Sequence, residues 1–477
     1  MQQHTFLWHD YETFGANTRR DRPAQFAAVR TDAGLNEIGE PMMWYCRPAP
    51  DFLPVPEACL ITGITPQYCL AHGIAEHQFA RQINQAFSQP DTIGVGYNTI
   101  RFDDEITRFM LWRNLIDPYA REWQNRCGRW DILDMLRAAY ALRPEGINWP
   151  VNEQGNVSFR LEHLCAANGI SHESAHDALS DVRATIALAK LVRSKQPRLF
   201  EFCFSLHKKE KVAVEIGMPE QHPFLHVTGM VPVENGCLSV VWPLAIHPSN
   251  KNEVIVWDLK FNPRELSGMN AETIRARMFS KGGELPDGVT RLPIKTIHLN
   301  RSPVVIRNTK TLSPEVAEKW GISIDSVLKN ADAARALPDM NAIWERVFQR
   351  EFDAVQDVDL DLYNGFIGTN DRRTLQNLVS YSGDKLARTT PQFQDKRLDE
   401  LLFRYRARNF PDSLSVQETE RWDRLRASRF FEGDGQALTV DDFFADIDRL
   451  SGDASPQNQA LLASLYDYAE SIVPDRH

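Results

Sequence analysis

TFLWHDYETFG, residues 5–15, opens the chain with a β-rich run from Thr5 to Tyr11. Asp10 and Glu12 stand two apart in it, and on a strand that spacing sends both carboxylates out of one face of the sheet. Aspartate is depleted in strands, so two acids side by side on a half-buried one need a reason. A solvated strand end would supply one without any chemistry, and a lone DxE pair is common. Working outward, Gln25–Thr31 and Met43–Cys46 read as further strands, and Thr92–Tyr97 as a short apolar strand carrying Gly94 and Gly96. Asp104–Asn114 has helical periodicity, as does Asp177–Arg193, where Leu179, Val182, Ile186 and Ala189 fall near one face. Alternation of this kind predicts an α/β sheet with helices on its faces.

The pattern then changes. Pro197 ends the helix, and HKKEK (207–211) is a charged connector. Short β-branched runs follow from about 212 to 310 (VAVEIG, FLHVTGMV, CLSVVWPLAI, NEVIVWDL, LPIKTIHL, PVVIRN), as in a small barrel or sandwich. From about 313 the chain reads as helical again, with breaks at Pro314, Pro338 and Pro411; Lys396–Arg408 and Asn458–Ile472 are the clearest helices. The expected domains are therefore 1–195, 196–350 and 351–477.

The chain has 477 residues, 43% hydrophobic and 25% charged, with a formal net charge of −10, values of an ordinary globular protein of about three domains. The negative sum says little about nucleic acid, because binding depends on the local field of a groove. Seven cysteines, an odd number with no CxxC, argue against disulfides or zinc and for buried free thiols. The N-terminus lacks a basic n-region, and no stretch of about 18 apolar residues occurs, so a cytoplasmic protein with no membrane association is expected.

Two further groups carry acids. Asp103, in YNTIRFDDEITRF, follows a short strand and opens a helix, where an N-cap role alone would explain it. Asp104 and Glu105 are expected to face solvent. In AHDALSDVRATIALAKL, His176 precedes a helix, Asp177 is its expected N-cap and Asp181 lies in its first turns. Residues five apart on a continuous helix diverge by about 140°. His176 and Asp181 therefore converge only if the histidine lies on the lead-in loop. Should Asp10, Glu12, Asp103 and Asp181 meet, a purely structural role is excluded. Like charges about 4 Å apart repel by roughly 4 kcal/mol at an effective dielectric of 20. Two Mg²⁺ ions would balance four carboxylates, and hard oxygen ligands suit Mg²⁺ or Mn²⁺.

The order DxE, NxxxFD, HxxxxD resembles the DEDDh exonuclease superfamily. The wording HDYETFG, RPAQFAA, LITGITP, GYNTIRFDDE, YALRPEGINWP, SFRLEHL and RARNFP resembles the bacterial exodeoxyribonuclease I family over essentially the whole chain. The resemblance implies an RNase H-like α/β exonuclease domain, an SH3-like β domain and an all-helical C-terminal domain. It implies a processive 3′→5′ exonuclease that degrades single-stranded DNA to 5′-mononucleotides by two-metal-ion hydrolysis, in DNA repair and recombination. Asp10, Glu12 and Asp181 would hold the metals, Asp103 partly through water. His176 would act as general base. Glu12, Thr13, Phe102 and Arg160 would hold the terminal nucleotide.

Single strands bind by aromatic stacking beside a basic groove. Residues 101–137 are rich in both kinds of side chain, including Arg101, Arg121, Arg126, Arg129 and Trp130. Phe109 and Trp112, three apart on a helix, are expected in the core instead, and Trp130 is open either way. The resemblance favours Arg108, Tyr119, Trp123, Arg137 and Arg160 as strand contacts. Lys209, Asn252, Asn300 and Tyr363 are further candidates on the second and third zones. The resemblance also implies docking of the acidic C-terminal tail of single-stranded-DNA-binding protein, and a monomer is expected. Two other readings fit the carboxylates: an exoribonuclease trimming RNA 3′ ends, since discrimination rests on the 2′-OH, and a non-catalytic strand-binding scaffold, which a complete set of five catalytic-type residues opposes.

Overall fold

Strand β1 (Thr5–Thr13) is apolar on both faces at its start, with Phe6, Leu7 and Trp8 all buried, and a strand of that kind belongs inside a sheet. It pairs antiparallel with β2 (Pro23–Thr31) and parallel with β5 (Thr92–Gly96). Beyond β2 lie β3 (Met42–Arg47), antiparallel, and β4 (Ile74–Ala75), parallel to β3, so the strands run β4-β3-β2-β1-β5. Gly96 is required where β5 passes β1: a Cβ there would lie 2.1 Å from the Thr99 side chain and 2.8 Å from the His9 carbonyl oxygen.

The computed structural model describes residues 4–172, 177–280, 285–349, 357–452 and 454–474. Its contacts form two compact units, one of Met1–Gly128, His172–Thr185 and Asp353–His477, the other of Arg129–Ser171 and Ile186–Phe352. In the first unit Leu7 and Tyr11 of β1 pack with Phe26, Phe79, Ile83, Ile106 and Met110, under the helices Glu76–Phe87 and Asp103–Arg113. The period of two then turns Asp10 and Glu12 to the opposite face. The helix Ala178–Lys195 starts where Asp177 accepts a hydrogen bond from the Ser180 amide (3.2 Å), the expected N-cap. Phe109 and Trp112 are core residues, packed with Leu362, Leu375, Leu401 and Tyr405 of the C-terminal region.

That region is helical, its longer helices being Arg397–Asn409, Val416–Glu432, Val440–Ser451 and Pro456–Ile472. A buried ion network ties two of them to the N-terminal part of the same unit. Arg408 reaches Asp51 (2.9 Å) and Asp359, and Arg429 reaches Asp51, Asp357 (2.9 Å) and Asp359 (2.6 Å). Burial alone would push Asp51 up, but Arg408, Arg429 and Arg22 outweigh it and hold the carboxyl below the usual range; Asp359 behaves likewise beside Arg408, Arg404 and Arg429. A depressed carboxyl contributes stability above its unfolded value, near 3.8, and loses it as pH falls further. Asp51→Asn leaves buried arginines short of countercharge and should cost about 3–5 kcal/mol. Calorimetry should show a lowered melting temperature at pH 7, and the gap to wild type should shrink as pH drops below about 4.

In the second unit, β6 (Gly128–Asp131) carries the chain in from the first. β7 (Phe224–Val227), β8 (Leu238–Ile246), β9 (Glu253–Asp258), β10 (Ile294–His298) and β11 (Val304–Ile306) then form an antiparallel sheet in the order β10-β9-β8-β7-β11. One expected strand is a helix. VAVEIG belongs to Lys209–Ile216, which ends at Gly217 with φ 71°. Val212 and Ile216, four apart, bury together against Leu206, Phe224 and Val241, and that i, i+4 stripe overrides β-branched propensity. Trp130 is buried against Phe200 and Phe204, with ring centroids 5.3 and 5.2 Å away. All seven cysteines are buried thiols outside any disulfide. Among the described residues no helix is long and apolar enough to cross a membrane.

Candidate active site

Asp10 and Glu12 leave the end of β1 on one face, and Asp181 reaches them from the first turn of its helix. Each offers a carboxylate oxygen, and these oxygens lie within 4.8 Å of one another. Glu12 is only 7% exposed. Asp103, the buried first residue of its helix, accepts a hydrogen bond from the Tyr11 amide (3.1 Å), so the backbone between the two β1 acids fixes the fourth carboxylate. His176 lies outside the described residues.

The electrostatics follow from that crowding. Burial first, then Asp103 and Asp181, push Asp10 well above the usual carboxylate range. Burial, then Asp10, Asp181 and Asp177, raise Glu12 to about 9. Such a cluster persists only with protons or cations. Three convergent carboxylates, with a fourth beside them, are the donor set of a hard divalent ion, so the residues fit the metal their pattern implies.

The candidate strand contacts of the first unit differ in exposure. Trp123 is 62% exposed, free to stack. The Thr13 hydroxyl donates to the Gly15 carbonyl (2.7 Å), and Phe102 is half-buried against the sheet's core. Arg108 is buried, held by Glu122 and Glu105 at 2.7 Å each, with its guanidinium 5.4 Å from the centre of the Tyr119 ring. Tyr363 is partly exposed, and its hydroxyl joins the same group, donating to Glu105 and accepting from Arg108 (3.3 Å).

In the second unit, Arg137 pairs with Asp134 (2.5 Å) while Arg160 and Lys209 are exposed. Asn252 is half-buried, and Asn300 is exposed with its carbonyl accepting from Arg129 (3.0 Å).

Two more arginines of residues 101–137 pair with acids of the fold. Arg121 is buried on Asp104 (2.6 Å), and Arg126 grips Asp91 with two bonds of 2.6 Å. Asp104, expected to face solvent, is therefore buried. A further histidine stands at the cluster. His172 contacts Asp181 through Nε2. The segment SHESAHD holds two histidines, and the pattern HxxxxD singles out the other. Nothing in spacing alone shows that the earlier one turns back onto the helix.

Three family models match in succession: Exonuclease over residues 7–189, Exonuclease I SH3-like domain over 207–350 and Exonuclease I C-terminal domain over 356–472. Exodeoxyribonuclease I of Escherichia coli (strain K12) is 45% identical over 480 residues, 99% of each chain. The crystal structure of E. coli exonuclease I in complex with a dA16 oligonucleotide is similar with a TM-score of 0.94 and 44% identity, covering 99% of this chain and 100% of that one. The zinc ion bound form of the E. coli complex with single-stranded DNA gives a TM-score of 0.93 at 44% identity over the same shares.

Proposed function

This chain belongs to the exodeoxyribonuclease I family, and on that premise we propose how its residues carry out the reaction. It is a single-stranded-DNA exonuclease that uses divalent metal. The observation that carries the site assignment is the meeting of Asp10, Glu12 and Asp181 oxygens within 4.8 Å.

Two divalent ions, Mg²⁺ in the cell with Mn²⁺ as a substitute, supply the charge that lowers the pKa of a water and stabilises a departing oxygen. Asp10, Glu12 and Asp181 hold them, with Asp103 acting partly through water and kept in place by the Tyr11 amide. His176 accepts the attacking water's proton, a task suited to an imidazole near neutral pH. Glu12, Thr13, Phe102 and Arg160 keep the 3′-terminal nucleotide in line. The bond from phosphorus to the neighbouring 3′ oxygen breaks, and a 5′-mononucleotide leaves.

The reading extends to a monomeric cytoplasmic enzyme with domains 1–195, 196–350 and 351–477, processive because added domains slow release of the strand. It includes docking of the acidic tail of single-stranded-DNA-binding protein, for which a basic, apolar-lined pocket is the physical requirement.

The test is incubation of end-labelled single- and double-stranded DNA, and of matched RNA, with Mg²⁺ or EDTA. Stepwise shortening of single-stranded DNA from its 3′ end, abolished by EDTA, is expected. Faster loss of RNA would favour the exoribonuclease, and no loss of either the scaffold. Strand contacts separate by salt. Arg160→Ala should lower the slope of log K against log salt by about 0.7, the value for one lost phosphate contact on a single strand. Trp123→Ala should cost about 1–3 kcal/mol of binding with the slope unchanged. Filter binding in Ca²⁺ across a salt series distinguishes the two.

A further inference from the structure

The face of the sheet that carries the acids holds a row of polar side chains running away from them. Glu12 on β1 stands opposite Gln25 on β2, and Gln25 stands opposite Tyr45 on β3. Residues directly opposite on neighbouring strands share a face, with Cβ atoms about 4.5–5.5 Å apart. Opposite Asp10 the same strand carries Ala27, so a long polar side chain stands beside one acid and a methyl beside the other.

Gln25 is 2% exposed. Its Nε2 lies 3.0 Å from the Tyr45 hydroxyl, and its Oε1 is buried with no hydrogen-bond partner among the described residues. An amide with one end anchored and the other unmet costs about 1–3 kcal/mol. Turning the amide by half a revolution keeps the Tyr45 bond, because a phenol both donates and accepts. The Tyr45 O–H then donates to Oε1, and the Nε2 hydrogens take the place where Oε1 was unmet. Burial first, and then Tyr68, push the Tyr45 phenol up to about 12, which keeps that donor proton in place. Tyr45 is itself braced edge-on by Tyr68, with ring centroids 5.0 Å apart.

We propose that Gln25 is a positioning residue, donating an amide N–H to the Glu12 carboxylate that holds metal while Tyr45 anchors the other end of the amide. The inference rests on the active-site reading above. A carboxylate that ligates metal is commonly oriented by such a partner, and loss of the partner typically costs 10–100-fold in metal affinity or activity. Gln25, 2% exposed, would act through Glu12.

The experiment uses Gln25→Met, which keeps the length and removes the donor, Tyr45→Phe, which removes only the anchor, and the double variant. Calorimetric titration with Mn²⁺ in the absence of DNA is read beside single-strand hydrolysis at saturating Mg²⁺ and the melting temperature. Gln25→Met should bind Mn²⁺ about 10–100-fold more weakly, with Tyr45→Phe shifted in the same direction and the double variant no weaker than Gln25→Met. A Mn²⁺ affinity of Gln25→Met within about twofold of wild type overturns the proposal. So does a full additional loss when Tyr45→Phe is added to it, since residues acting through one bond do not add. If Gln25→Met fails to fold, an unchanged Mn²⁺ affinity of Tyr45→Phe overturns it alone. Wild-type protein that takes up no Mn²⁺ sinks the active-site reading itself, which separates the two failures.

Discussion

Asp181→Ala and Asp10→Asn are each expected to reduce single-strand hydrolysis to below a few per cent of wild type while the protein stays folded. The size of the effect comes from the shared site. The two carboxylates and Glu12 offer oxygens within 4.8 Å of one another, so removing one ligand disturbs every ion the others hold. Residues that act as a unit lose activity together rather than additively. The double variant should therefore be scarcely worse than either single one. His176→Ala should lose less, about 10²–10⁴-fold, the usual contribution of a general base. Stability should move the other way. Asp103 and Asp181 both crowd Asp10, so deleting an acid relieves repulsion and the metal-free melting temperature should hold or rise. Activity above a few per cent in Asp181→Ala, in a preparation purified away from host nucleases, refutes the assignment.

The acids were legible in the sequence because their placement depends on local rules. A spacing of two on a strand put Asp10 and Glu12 on one face, and Asp177 caps its helix as that residue type does. What stayed hidden depends on which distant groups meet. Arg121 stands in a run rich in arginine, yet Asp104 takes it. A buried guanidinium needs countercharge, and no local pattern says where it comes from. The same holds for Asp51, whose partners Arg408 and Arg429 lie at the other end of the chain. VAVEIG failed for a related reason. Its β-branched residues favour a strand, but Val212 and Ile216 face a core that only the folded sheet supplies. Gln25 passed unnoticed inside RPAQFAA because its meaning lies in its neighbours on either side, Glu12 and Tyr45.

Divalent-ion binding should steepen with pH, and the sign follows from the same cluster. Burial and the surrounding acids raise Glu12 to about 9 and carry Asp10 upward too. A carboxyl raised above its ordinary value binds more protons in the folded chain than in the unfolded one. Metal-free stability therefore falls as pH climbs from the ordinary glutamate value of 4.5 toward 9. A ligated carboxylate must be ionised, so each ion that enters displaces protons. Apparent Mn²⁺ affinity should then rise about tenfold per pH unit for every proton displaced. Between pH 6 and 8 that amounts to roughly 100-fold for one proton and more if Asp10 contributes. The thermal upshift on adding Mn²⁺ should grow across the same interval, because the ion restores what the crowded charges remove. Calorimetry in buffers of different ionisation enthalpy counts the protons directly. A release near zero, with an affinity flat from pH 6 to 8, would mean that the four acids are already ionised when the metal arrives, and the repulsion argued from their burial would be wrong.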